Sequence, residues 1–183
     1  MEATTAWSTR ANALTLLRLL LAPALAAAVL HGAPAAAAAL FFLAVGTDFA
    51  DGWVARRYGE ATAFGGFADH VVDATFVTTG TAALAWTGVL PAPLPWLIAI
   101  AFTQYALDSR VLAASGLHPS RLGRWNGIAY YVIVAVPIVR DALALGWPGP
   151  ALVTALGWAL VASTLVSMLG RLRTWLRARR AGA

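Results

Sequence analysis

A short acidic stretch holds the residues of this sequence best suited to chemistry. Asp48, Asp51, Asp69 and Asp73 make up half of the chain's eight acidic residues. The two pairs are spaced i,i+3 and i,i+4, so each pair shares a helix face with Cβ atoms about 5–6 Å apart. Converging carboxylates repel one another unless cations neutralise them, and all-oxygen sites suit Mg²⁺ or Mn²⁺. We therefore expect a metal site formed by all four aspartates, with room for two ions about 3.5–4 Å apart, as in phosphoryl chemistry.

Small residues and an arginine surround these aspartates. Gly52 and Ala55 follow the first pair, and Gly65 lies one turn before the second pair. Such residues leave a floor on which a bulky ligand can approach the backbone, and Arg56 is placed to hold a phosphate. The aspartates could instead cap helices or pair with Arg56 and Arg57, but four of them beside glycines favour a functional site.

The composition indicates the element type that positions these residues. Sixty per cent of the 183 residues are hydrophobic and 11% are charged, against about 25% charged in soluble domains. The chain has no cysteine, which excludes disulfides and thiolate metal sites. Membrane-spanning helices need about 20 mostly apolar residues. Six segments qualify, roughly Ala13–Leu30, Pro34–Val54, Ala68–Trp86, Trp96–Leu112, Gly127–Leu143 and Ala151–Leu169. We expect an all-α integral membrane protein with six transmembrane helices, forming a single domain over residues 1–183.

The placement of arginine predicts the orientation. Lysine is absent, and of the 13 basic residues only Arg140 falls on the side opposite the N-terminus. Cytoplasmic loops carry an excess of basic residues. We therefore expect both termini in the cytoplasm, the aspartates at the cytoplasmic side of the cell (inner) membrane, and a basic C-terminal tail, about residues 170–183, on anionic membrane lipids.

The spacing D-x2-D-G-x2-A-R-x8-G-x3-D-x3-D, from Asp48 to Asp73, resembles the signature of the CDP-alcohol phosphatidyltransferase family. The run from Asn12 through Thr15 to Arg18 resembles that family's N-x2-T-x2-R start. The resemblance implies an enzyme that passes the phosphatidyl group of CDP-diacylglycerol to an alcohol and releases CMP. It implies Mg²⁺ or Mn²⁺ held by the aspartates, a homodimer, and an active site that faces the cytoplasm.

The resemblance also assigns roles to residues. Asp73 becomes the general base for the acceptor hydroxyl while lying close to metal. The residues that it implies for the CDP donor are Gly52, Ala55, Arg56, Gly65, Asn12 and Thr15.

A set of arginines between the fourth and fifth segments bears on the acceptor. Arg110, Arg121 and Arg124 suit bidentate recognition of phosphate. They indicate a phosphate-bearing acceptor such as glycerol 3-phosphate or inositol phosphate, although they could equally signal topology alone. Members that make phosphatidylglycerol phosphate commonly carry proline and lysine where this chain has His70 and Ala74, which weakens the choice of glycerol 3-phosphate.

A second hypothesis comes from another functional class. The aspartate cluster could be the ion site of a membrane cation transporter or channel. Arg56 beside the cluster counts against it, because its charge would repel the transported ion. Neither hypothesis involves nucleic acid.

Overall fold

The computed structural model describes the backbone of residues 10–58, 63–112 and 121–181. Side chains are described there except at 10–12, 51–52, 54–56, 58, 63–64, 107–112 and 177–181. This part of the chain is helical and contains no strand. The six helices are α1 (Arg10–Leu30), α2 (Pro34–Tyr58), α3 (Ala63–Trp86), α4 (Pro93–Leu112), α5 (Arg121–Ala142) and α6 (Pro150–Ala181). The all-α prediction is confirmed.

Proline and glycine set the helix boundaries at one end of the bundle. Pro34, Pro93 and Pro150 each begin a helix, where the missing N–H has no helical partner to lose. Gly32 and Gly88 follow the ends of α1 and α3 with φ values of 63° and 78°. This left-handed conformation closes the last helical turn and is costly for residues with a Cβ atom. The connections are therefore short, and consecutive helices run antiparallel.

The helices extend beyond the apolar segments predicted from the sequence. α3 begins at Ala63 rather than Ala68, and α5 begins at Arg121 rather than Gly127. α6 continues to Ala181, so the basic tail prolongs this helix rather than forming a separate one. The physical reason is that hydropathy marks only the apolar part of a helix, whereas backbone hydrogen bonding continues through polar residues. Arg121 and Arg124 consequently lie on a helix, not in a loop.

Three helices meet a length and hydropathy criterion for crossing a membrane within the described residues. They include Ala13–Leu30, Arg121–Ala142 and Pro150–Leu176, and α2 has a shorter apolar stretch, Pro34–Ala50. Aspartates interrupt α2 and α3, which lowers their hydropathy. Large apolar side chains such as Leu20, Phe42 and Val166 point outward over the helix surfaces. An apolar exterior of this kind is expected where lipid replaces water.

The packing of α1 and α3 determines where the site forms. α1 packs against α2 and α3, and α3 also contacts α4 and α5. Leu25, Phe76 and Val134, from α1, α3 and α5, are fully buried at this junction. At Gly80 on α3, a Cβ atom would lie 3.2 Å from a methyl carbon of Val134. The glycine therefore allows α3 and α5 to approach closely, which brings α5 residues towards the aspartates of α3.

Candidate active site

Three of the four predicted aspartates converge between α2 and α3. Asp48 on α2 and Asp69 and Asp73 on α3 have carboxylate oxygens that all lie within 4.8 Å of one another. Asp69 and Asp73 share a face because they are one helical turn apart. Asp48 joins them because α1 packs against both α2 and α3, and Arg18 on α1 contacts the carboxylates of both helices. The side chain of Asp51 lies outside the described residues.

Arg18 on α1 is the counter-ion of this cluster. Its guanidinium lies 3.1 Å from Asp48 Oδ1, 2.8 Å from Asp69 Oδ1 and 2.5 Å from Asp73 Oδ1. The Arg18 side chain is 0% exposed. A buried cation and three carboxylates in contact form charge-assisted hydrogen bonds, which are about twice as strong as neutral ones. The cluster is thus an ion network in which one positive charge faces three negative charges.

The exposure of the aspartates bears on metal binding. Their side chains are 39%, 34% and 21% exposed for Asp48, Asp69 and Asp73, whereas Arg18 is not exposed at all. The carboxylates therefore remain accessible from the side opposite Arg18. An all-carboxylate donor set with excess negative charge fits a hard divalent cation.

A tyrosine on α5 closes the buried side of Asp73. The Tyr131 ring stacks on Phe76, with centroids 6.3 Å apart and an interplanar angle of 21°. Its hydroxyl is the polar neighbour of the Asp73 carboxyl on this side. The hydroxyl oxygen is buried but does not form a hydrogen bond of normal geometry.

The structure thus adds two residues that sequence reasoning did not place in the site. Arg18 had a sequence signal, because it ends the N-x2-T-x2-R run, but it was interpreted only as part of that start and of the basic orientation pattern. Tyr131 had none, because nothing in its neighbourhood along the chain distinguishes it from other aromatic residues of a membrane helix.

A cavity of about 230 Å³ lies beside the aspartate cluster. It is formed by four helices, and its lining includes His70 from α3, Tyr105 from α4, Arg124 from α5 and Arg171 from α6. His70 lies between Asp69 and Asp73 in sequence, so α3 contributes to both the cavity and the cluster. The Arg171 guanidinium lies 5.3 Å from the centre of the Tyr105 ring. Two arginines facing one small cavity make it a candidate site for an anion.

Hydrogen bonds between helices hold the walls of this cavity. Tyr130 on α5 bonds Thr164 on α6 at 2.9 Å, and both residues are buried. Ser163 donates to Asn126 Oδ1 at 2.7 Å, again between α6 and α5. Polar side chains commonly join helices in this way in membranes. These bonds fix α6 against α5 and so fix Arg171 opposite Arg124.

The remaining predicted site residues divide into three groups. Thr15 is buried on α1, one turn before Arg18, and Gly65 is half-buried on α3. Arg121 is exposed at the start of α5. Unlike Arg124, it does not line the cavity. The side chains that lie outside the described residues are those of Asn12, Gly52, Ala55, Arg56 and Arg110.

Comparison with known proteins gives consistent results. A probable phosphatidylglycerophosphate synthase of Mycobacterium tuberculosis (strain H37Rv) is 33% identical over 145 residues, covering 75% of this chain and 68% of that protein. The CDP-diacylglycerol–glycerol-3-phosphate 3-phosphatidyltransferase of Escherichia coli (strain K12) is 30% identical over 114 residues, covering 62% of this chain and 60% of that protein.

The family assignment depends on a longer match. Residues 8–169 match the profile of the family described as CDP-alcohol phosphatidyltransferase. The match covers all of the described helices except the last part of α6, residues 170–181. It includes the aspartates, Arg18 and Arg124. The chain therefore belongs to the CDP-alcohol phosphatidyltransferase family, and it is a membrane-associated phosphatidyltransferase.

Proposed function

We propose that this protein transfers the phosphatidyl group of CDP-diacylglycerol to glycerol 3-phosphate and releases CMP. The observation that carries the proposal is the cavity with Arg124 and Arg171, which shares helix α3 with the carboxylate cluster. A phosphate-binding cavity next to a cluster suited to divalent cations matches the two substrates of this reaction.

The acceptor site consists of the cavity walls. Arginine binds phosphate in a bidentate manner, and Arg124 and Arg171 can bind it from two sides. A volume of about 230 Å³ is below the range of about 300–1,000 Å³ for drug-sized ligands, so the cavity suits a small molecule. Arg171 joins Arg124 in the cavity lining, and Arg121 and Arg110 remain proposed contributors from the sequence. The printed names of both relatives, which refer to phosphatidylglycerophosphate or glycerol 3-phosphate, support this acceptor.

The metal site consists of the carboxylate cluster. Asp48, Asp69 and Asp73, with Asp51, would hold Mg²⁺ or Mn²⁺, in a site with room for two ions. When bound, the ions supply positive charge that offsets the charge developing on the pyrophosphate and on CMP as it leaves. Arg18 adds one fixed positive charge on the buried side of the cluster.

The CDP donor would lie across the small residues next to the cluster. Gly52, Ala55 and Gly65 would allow the cytidine to approach the helix backbones. Arg56, Asn12 and Thr15 complete the proposed donor site. Thr15 is supported by its position on the same face of α1 as Arg18, one turn away.

Asp73 would act as the general base. It accepts the proton of the acceptor hydroxyl, whose oxygen forms a bond to the phosphatidyl phosphorus as the bond from that phosphorus to CMP breaks. Asp73 is suited to this role because it is the least exposed of the three carboxylates. It also lies one turn after His70, which lines the acceptor cavity.

The site would face the cytoplasm in a six-span, single-domain protein with both termini on that side. The three apolar helices and the outward-facing apolar side chains support a location in the membrane, and the placement of arginine in the sequence favours this orientation. The arginines of the α6 extension would contact anionic lipids. As in the family generally, the proposed assembly is a homodimer in the cell membrane.

The alternative of a cation transporter has less support. Arg18 lies among the carboxylates with no exposure, so a permeating cation would pass next to a fixed guanidinium charge. The charge would oppose transport at close range.

The test is an acceptor screen with purified protein in mixed micelles of CDP-diacylglycerol. CMP release would be measured with Mg²⁺ or Mn²⁺ and glycerol 3-phosphate, inositol 1-phosphate, serine or no acceptor. We expect release with glycerol 3-phosphate and its loss in EDTA. Faster release with inositol 1-phosphate or with serine would reject the proposed acceptor while leaving the reaction type intact.

A further inference from the structure

Tyr131 is a half-buried residue on α5 whose hydroxyl oxygen is buried, and the mechanism described so far does not use it. Its ring is fixed by stacking on Phe76 of α3, which is fully buried one turn after Asp73. The position of the hydroxyl is therefore determined by packing between α3 and α5 rather than by free rotation of an exposed side chain.

The hydroxyl of Tyr131 lacks a formed hydrogen bond although it is buried. Burial of a hydroxyl without a partner costs about 1–3 kcal/mol in proteins. Stacking on Phe76, one turn after Asp73 on α3, places the ring on the side of the cluster formed by that helix turn, where the charged groups that act on the hydroxyl are Asp73, Asp48 and Arg18. Arg18 can only donate hydrogen bonds. The acceptor closest to hand for the tyrosine proton is therefore the carboxylate of Asp73.

We propose that Tyr131 is a positioning residue for Asp73 and that its hydroxyl donates a hydrogen bond to the Asp73 carboxylate in the reacting complex. The inference rests on the proposed role of Asp73 as base. Arg18 from α1 and Tyr131 from α5 then hold the same carboxyl group from two helices. This leaves the free lone pair of Asp73 directed to the acceptor hydroxyl, because two fixed donors prevent the carboxyl from rotating about χ2.

The reason for using a tyrosine here follows from the electrostatics of the cluster. Arg18 already contacts three carboxylates, so its single charge does not select one of them. A neutral donor hydrogen-bonded to Asp73 would distinguish this carboxylate from Asp48 and Asp69 without adding charge to the proposed metal site. Partners that orient a ligating carboxylate typically contribute about 10- to 100-fold to activity or metal affinity.

The test compares Tyr131→Phe with the wild type in steady-state assays of CMP release, varying donor and acceptor separately. The phenylalanine ring keeps the stacking on Phe76 and removes only the hydroxyl. We expect kcat to fall about 10- to 100-fold, with both KM values unchanged and the thermal midpoint at or above that of the wild type, because the variant no longer buries a hydroxyl without a partner. A purely structural role would lower the thermal midpoint, and direct substrate contact would raise one KM at unchanged kcat; either pattern would overturn the proposal.

A second variant keeps the test decisive if Tyr131→Phe does not fold. p-Aminophenylalanine at position 131 replaces the hydroxyl by an amine that still donates a hydrogen bond, and we expect it to retain most of the wild-type kcat. A folded p-aminophenylalanine protein with kcat as low as that expected for phenylalanine would refute the donor role.

The matched control is Thr81→Val on α3. This substitution also removes a buried hydroxyl, which donates a hydrogen bond to Val77 O at 2.8 Å. We expect its kcat to be unchanged. If the wild type uses an acceptor other than glycerol 3-phosphate, the acceptor proposal fails and the comparison at Tyr131 is made with that acceptor. The two failures are therefore distinguishable.

Discussion

Replacement of Arg18 by methionine tests the account of the carboxylate cluster most directly. Methionine retains much of the length of the side chain but removes the charge that faces three carboxylates. The two charge-assisted hydrogen bonds to Asp69 and Asp73, at about 1.5–3 kcal/mol each, would sum to about 3–6 kcal/mol, and the ion pair with Asp48 adds to this sum. The carboxylates are 21–39% exposed, so water regains part of this interaction. We therefore expect a loss near the lower end for a broken buried ion pair, about 3 kcal/mol of unfolding free energy.

The assay is thermal unfolding of purified Arg18→Met and wild-type protein in detergent with EDTA, followed by titration with Mg²⁺ or Mn²⁺. Without Arg18 the cluster carries more unbalanced negative charge, so divalent cations should bind the variant more tightly. A ligand at 100 times its Kd stabilises the folded state by about 2.7 kcal/mol. Metal should thus recover most of the lost stability of the variant and raise the wild-type midpoint less.

Arg173→Met is the matched control, because Arg173 is an exposed arginine on the extension of α6. Its midpoint should be that of the wild type with and without metal. Equal midpoints for Arg18→Met and wild type in EDTA would refute the ion network. A loss of stability that metal does not reverse would show that Arg18 contributes by packing and not by balancing the carboxylates.

Three further predictions concern the base, the acceptor site and the packing. The Asp73→Asn variant should fold and bind CDP-diacylglycerol. Its rate of CMP release should fall by at least about 100-fold, because the proposed base is lost. Turnover near the wild-type rate would remove Asp73 from this role. Arg171→Ala should raise the KM for glycerol 3-phosphate about 10- to 100-fold through loss of a charge-assisted contact and leave the donor KM unchanged. The control Arg173→Ala, at an exposed position, should change neither KM value. A rise in the donor KM alone would argue against a phosphate site in the cavity. Gly157→Ala should lower the unfolding free energy by about 1–3 kcal/mol, because the added Cβ atom would lie 2.5 Å from Pro91 Cδ. An unchanged thermal midpoint would contradict the close approach of α6 to the connection between α3 and α4.

Local sequence patterns were enough to predict the element type and the polar faces of single helices. The spacing of Asp69 and Asp73 follows the helical repeat, so their shared face did not depend on the rest of the fold. The prolines and glycines of the connections predicted where helices end at one side of the bundle, and Pro34 and Gly32 lie there in the structure. The helix ends at the other side were less predictable from hydropathy. A polar residue such as Arg121 has the same hydropathy whether it lies in a helix or in a loop.

Contacts between distant residues were not predictable in the same way. Arg18 is 51 residues from Asp69 and 55 residues from Asp73 along the chain. In sequence it is one arginine among the basic residues near a membrane surface. Only the packing of α1 against α3 shows that it is buried against the carboxylates rather than directed to lipid headgroups.

The cavity proposed to bind the acceptor shows the same division. Arg121 and Arg124 are three residues apart, and only Arg124 lines the cavity. Arg171 is part of a segment whose composition indicates a lipid-facing tail, yet it faces the cavity because hydrogen bonds between α5 and α6 fix its helix.

The sequence alone determined that this chain forms apolar helices carrying aspartates at helical spacing, because backbone geometry and hydrophobicity act over a few neighbouring residues. Tertiary structure decided which cation faces those aspartates, which arginines line the cavity and which tyrosine lies near Asp73. Each of these depends on how helices far apart in sequence rotate against one another, and that rotation is set by packing at positions such as Gly80 and Val134, not by the residues of the site.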